Sequence, residues 1–195
     1  MVRKIKINSK RTLPTYTRLR GVSWYAHQLA QHEEVGRMHH CMTSMLFSAF
    51  CLEAYLNHLG EAKIPFWEPL KRRLSPHEKL EVLAVVLSFK PDFGVRPYQT
   101  FKSIFKLRDL LVHARTETIT LEGEFILAPG DTHPQPLSKW ELLISLENAT
   151  RFLDDTKAIV YDLSERANLP GDMVFATDMV ETTTVYLCDD SYPSS

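Results

Sequence analysis

From Cys41 to Leu56 the chain is apolar on nearly every side of the helix that its spacing predicts over Arg37–Leu59. Such a helix cannot lie on a surface. It must be wrapped by neighbours, so it dictates a fold in which other elements pack around one central rod. The run is about half the ~20 residues that a membrane span needs, which places it in a globular core. Gly60 is expected to end it, since glycine relaxes into the left-handed conformation of a helix terminus.

The elements around this rod follow from periodicity and end signals. Leu19, Val22, Trp24, Tyr25, Leu29 and Ala30 recur at helical spacing within a first helix over Tyr16–Val35, which Gly36 separates from the second. A loop with Pro65 and Pro69 follows. Ser75-Pro76-His77-Glu78 then has the form of a helix start: Ser at the N-cap, Pro at the first position and Glu placed to close a capping box. That third helix is predicted to reach Phe89. A fourth runs from about Pro97 to His113 or Arg115, and a long fifth from about Lys139 to Arg166. Residues 118–127, TITLEGEFIL, read as extended, with Glu122-Gly123 as a weak turn signal. VRKIKI at the start and TTTVYL near the end are β-prone segments that could pair. Five helices with short connections predict an all-α, up-and-down bundle.

At 195 residues the chain is sized for one domain, assigned here to 1–170, with an acidic tail over 171–195. The net charge of −1 argues against wholesale electrostatic binding to nucleic acid or membrane. The charges are nonetheless segregated. Residues 1–20 carry Arg3, Lys4, Lys6, Lys10, Arg11, Arg18 and Arg20 and no acid, whereas no base follows Arg166. Mutual neutralisation is the simplest use of that asymmetry. Cys41 and Cys51 lie nearly three turns apart on one helix, too far for a disulfide, and Cys188 makes the count odd. No Cys-x-x-Cys, no metal-spaced His pair and no Gly-rich phosphate loop occurs, so neither metal nor cofactor is expected. The N-terminus lacks the apolar core of a signal peptide. These features predict a soluble, reduced, cytoplasmic protein.

Chemistry is concentrated in FKLRDLLVHAR, residues 105–115. Phe101, Ile104, Phe105, Arg108, Leu111 and Val112 fall on one helical stripe, which sets a guanidinium among core-facing residues. An unpaired buried charge costs several kcal/mol, roughly, so Arg108 must meet an acceptor or a second surface. Asp109 and His113 are four apart, so the carboxylate can reach the imidazole, fix its tautomer and suit it to proton transfer near neutrality. Arg108 and His113 are five apart, roughly 140° around the axis, so one small ligand meets both only at a frayed end or across a subunit interface. Glu53 interrupts the apolar second helix; it pairs with Arg108 or a backbone group, or acts directly. Asn57, four residues on, is expected to join its network.

Arg108, a polar residue after it, and His113 near the end of the fourth helix resemble the signature of HEPN domains. SAFCLEAYLNHLG (48–60) is similar to the Glu-containing second helix of that superfamily, and SPHEKL (75–80) to the start of its third. The resemblance covers roughly residues 18–166. It implies a metal-independent endoribonuclease of toxin or defence type, acting as a homodimer with both motifs at the interface. Arg108 would clamp the phosphate, His113 would act at the 2′-hydroxyl or leaving group, and Asp109 would orient His113. Lys102, Lys106 and Arg115 are the expected RNA contacts, and an antitoxin-like protein is a conceivable partner. Many active members carry Asn where Asp109 stands. The alternative implied by the same likeness is a non-catalytic dimer that binds nucleic acid, nucleotide or protein.

Overall fold

The computed structural model describes residues 5–128, 130, 133–169, 174–175 and 179–186, with side chains in the last segment only at Thr182 and Thr183. Six α-helices occur among them: α1 (Thr15–His32), α2 (Arg37–Lys63), α3 (Trp67–Leu70), α4 (Pro76–Val86), α5 (Tyr98–Val112) and α6 (Leu146–Arg166). A two-stranded ribbon of β1 (Ile5–Thr12) and β2 (Met179–Tyr186) completes the described chain. The architecture is the expected all-α bundle.

α2 is its axis and touches every other helix. Cys41, Met45, Leu52, Leu56 and Leu59 are buried along one side of it, and with Ser44, Cys51 and Tyr55 the buried face spans about half the helix, while Phe50 on the opposite side stays exposed. Gly36, at φ +77°, supplies the left-handed residue that turns the chain from α1 into α2. The two helices then approach closely through small hydroxyls. The Ser23 hydroxyl donates to the Ser44 carbonyl at 2.8 Å, and it shares a 2.8 Å hydrogen bond with the hydroxyl of Ser48.

Gly60 does not end α2, which continues to Lys63. Its missing side chain serves packing instead: a Cβ there would stand 2.1 Å from Cε2 of Trp67. The Trp67 indole of α3, inside the segment expected to be a loop, packs directly against the glycine. α4 begins on the predicted capping box. Ser75 Oγ accepts from the Glu78 amide at 3.3 Å, and Glu78 Oε2 accepts from the Ser75 amide at 2.7 Å. The helix stops at Val86, three residues early.

α5 is pinned to α6 at its start. Arg96 donates to both oxygens of the buried Asp155 through three hydrogen bonds of 2.8–3.1 Å, and the Thr100 hydroxyl adds a fourth. The last helix begins seven residues later than predicted, at Leu146. Ser138 and Glu141 cap each other over a single 3-10 turn, Glu141–Leu143, and Ser145 then caps α6 by accepting from the Asn148 amide at 3.1 Å. Two successive serine caps split what periodicity reads as one helix.

Residues 118–127 are irregular and exposed, with no strand pairing. The terminal segments do pair. β1 and β2 are antiparallel, with Ile5 opposite Tyr186 and Thr12 opposite Met179, and the Ser9 and Thr182 hydroxyls lie 2.9 Å apart. Between α6 and β2, Val174 is buried and Phe175 packs edge-on against Tyr16 and Tyr161, with the Arg20 guanidinium 4.4 Å above its ring. The rest of the acidic segment, including Cys188, lies outside the described residues. No described helix is long and apolar enough to cross a membrane.

Candidate functional site

α5 turns Phe101, Ile104, Phe105 and Leu107 into the core and carries Arg108 to its edge, where the side chain is 22% exposed. Arg108 meets an acceptor, as its position demands. Its Nη2 lies 3.3 Å from Glu53 Oε2 on α2, and its Nη1 lies 3.2 Å from Asp109 Oδ1. The guanidinium carbon sits 5.5 Å from the centre of the Phe105 ring, and Nε is buried without a hydrogen-bond partner.

Glu53 is therefore a pairing residue for Arg108, one of the two readings its sequence position allows. It is also held from the other side. Lys79 on α4, only 2% exposed, donates from Nζ to Glu53 Oε1 at 2.8 Å. One carboxylate thus ties three helices together, with a cation on each oxygen. Sequence reasoning left Lys79 out, although a signal existed: Lys79 lies four residues before Leu83 and next to Leu80, on the face that α4 buries. Asn57 does not join this network. Its Oδ1 is buried without a partner, and its side chain lines a separate cavity with Tyr16, His58 and Glu61.

The expected Asp109–His113 pair is not formed. α5 ends at Val112, so His113 is its exposed cap residue, with φ −103° and ψ 13°. The His113 amide still donates to the Asp109 carbonyl at 3.0 Å, but the Asp109 carboxylate turns to Arg108 at 3.2 Å and leaves the imidazole in solvent. Among the described residues His113 has no side-chain hydrogen bond or ion pair. Val112, expected on the core stripe, is 62% exposed because the last turn of α5 runs past the bundle.

The predicted RNA-contacting cations have different surroundings. Lys102 lies over the Phe93 ring, 4.7 Å from its centre, in a groove beside α4. Lys106 lines a pocket against α6 with Asn148 and Arg151, and Arg115 follows the helix in exposed, irregular chain. Arg96, just before α5, is neutralised by Asp155. Burial pushes the Cys51 thiol up to about 12 and raises that of Cys41, so neither is a ready thiolate. No described cluster of His, Cys, Asp or Glu could hold a metal ion.

Chemically, the end of α5 offers a guanidinium, Arg108, restrained by two acids, and an exposed imidazole, His113, without a side-chain partner among the described residues. No protein-family model, curated protein or solved structure matches the chain.

Proposed function

We propose that the chain is a HEPN-like protein that works as a homodimer and cleaves RNA without a metal ion. The observation that carries this reading is the end of α5. There Arg108 shares its stripe with Val112, apolar yet 62% exposed, and the exposed, unpaired His113 follows directly. Exposed apolar residues beside polar groups that cannot meet within one chain favour a second copy at this surface. Across a two-fold axis, His113 of one protomer would approach Arg108 of the other. His113 would take the 2′-hydroxyl proton or protonate the leaving oxygen, and Arg108 would stabilise the crowded phosphorane. Asp109 restrains Arg108 in this arrangement rather than orienting His113. A toxin or defence role, held in check by an antitoxin-like protein, fits such an activity.

A second reading, a non-catalytic dimer that binds nucleic acid, nucleotide or protein, is favoured by one feature. Arg108 already lies between Glu53 and Asp109, which a phosphate would have to displace. The full chain incubated with total RNA in the presence of a chelator, beside His113→Ala and Arg108→Ala, separates the two. Cleavage by the parent alone supports the nuclease. Equal inertness of all three proteins, with a dimer in sedimentation, supports the binder. A monomer at high concentration removes both.

A further inference from the structure

α4, the segment after it and α5 enclose an open groove of about 510 Å³, away from the Glu53 bridge. Its walls are Val85, Phe89 and Phe93, and Lys90 and Lys102 stand with them. Val85 is 79% exposed although apolar. Phe93 is backed by the His77 ring at 4.9 Å and the Phe101 ring at 6.2 Å, which fixes its orientation. Phe89 is backed by the Arg166 guanidinium at 4.4 Å. Glu81, a carboxylate at the groove, faces His77 at 3.4 Å, and neither lysine has an ion-pair partner among the described residues; the Lys102 ammonium rests 4.7 Å over the Phe93 ring and must swing off it to reach a phosphate and open that face.

This combination selects a ligand by shape and charge. Ring-lined apolar walls suit a flat aromatic body, and two unneutralised ammonium groups suit anions attached to it. An aliphatic peptide would leave the lysines unmatched. A base with its flanking phosphates answers both. Lys102 lies six residues before Arg108, about 9 Å along the axis of α5 and roughly 120° around it, so a strand that engages both must wrap part of the helix. We propose that this groove seats an unpaired base of single-stranded RNA, with Lys90 and Lys102 on the adjoining phosphates. The inference rests on the RNA-directed reading of the α5 end.

The test uses full-length His113→Ala protein, so that RNA stays intact, and fluorescence anisotropy of a labelled short oligoadenylate. Phe93→Leu, which keeps apolar bulk but removes the ring, is expected to weaken binding roughly five- to a hundred-fold. Lys102→Gln is expected to lower the slope of log K against log salt by about 0.7. Val85→Glu, at an exposed position that folding does not need, is expected to weaken binding as well. Parental affinity in folded Phe93→Leu, or equal affinity for a duplex of the same length, overturns the proposal. So does a Val85→Glu chain that loses a dimer yet keeps its RNA affinity, since the groove would then belong to a second copy. Phe93-dependent binding by a protein whose parent cuts no RNA upholds the groove and ends the nuclease reading. RNA cleavage with an unchanged KM in Phe93→Leu ends the groove alone.

Discussion

Lys79 and Glu53 form a 2.8 Å ion pair between α4 and α2 in which the lysine is almost completely enclosed. Its ammonium can be tolerated there only because Glu53 compensates it, and Glu53 can hold Arg108 only with its second oxygen. Removing one partner leaves the other charge desolvated, which costs more than the pair itself contributes. Lys79→Met and Glu53→Gln are each expected to lower stability by about 2–4 kcal/mol in urea denaturation. The double variant is expected to cost less than the sum of the two. Strict additivity would show that the bridge is not the unit described here.

Gly60 and Trp67 supply a second quantitative handle. In an exposed helix Gly→Ala gains about 1 kcal/mol from propensity. At Gly60 the added methyl would overlap the indole of Trp67 at 2.1 Å, and α3 would have to move. Gly60→Ala is expected to destabilise by about 1–3 kcal/mol despite its better propensity. Pairing it with Trp67→Leu, which empties the contested space, should recover part of the loss. A thermal midpoint for Gly60→Ala at or above the parent value would contradict the close contact.

What could be read before folding was whatever a helical period or a local cap specifies. The apolar run of α2, the Ser75–Glu78 box and the place of Arg108 beside a buried stripe depend on residues within a few positions of one another, although α2 buries only about half of its surface. The Lys79–Glu53 bridge joins positions 26 apart, and single-sequence periodicity places Lys79 on a buried face without naming its partner. Gly60 has the same composition signal whether it ends a helix or admits an indole. The Asp109–His113 pair failed at the end of α5, where His113 is the cap residue and the Asp109 carboxylate finds the guanidinium of its neighbour Arg108 instead. The start of α6 failed similarly, because Ser138 and Ser145 are both competent caps and periodicity does not choose between them.

Alkaline pH gives a prediction independent of function. Burial pushes the Tyr55 hydroxyl up to about 12, opposed in part by its hydrogen bond with Ser164 at 2.5 Å. Tyr98, whose hydroxyl donates to Asp162, is likewise raised by burial and by that carboxylate. A raised folded-state pKa means that the unfolded chain releases its proton first, so this stabilisation is complete below pH ~10 and is lost as pH rises towards the folded value. Urea midpoints are expected to fall between pH ~10 and 12. Tyr55→Phe is expected to reduce the slope while lowering stability at neutral pH by about 1 kcal/mol, from the lost hydrogen bond. An identical slope in parent and variant would assign the alkaline loss to other groups.

Asp109 is the restraint on Arg108 that can be removed without touching the core. The carboxylate is 56% exposed and lies 3.2 Å from Nη1, so its contribution to stability is small. Asp109→Asn keeps the shape, removes the negative charge and leaves Arg108 held by Glu53 alone. If Arg108 serves a phosphate, the variant is expected to bind single-stranded RNA about two- to five-fold more tightly at low salt, with the gain fading as salt rises. Cleavage by the variant should rise by a similar factor. The urea midpoint should move by no more than about 0.5 kcal/mol equivalent, which separates relief of competition from a change in fold. Weaker RNA binding in a folded Asp109→Asn protein would mean that the carboxylate organises Arg108 for its ligand rather than competing with it, and the part given to Asp109 would have to be reversed.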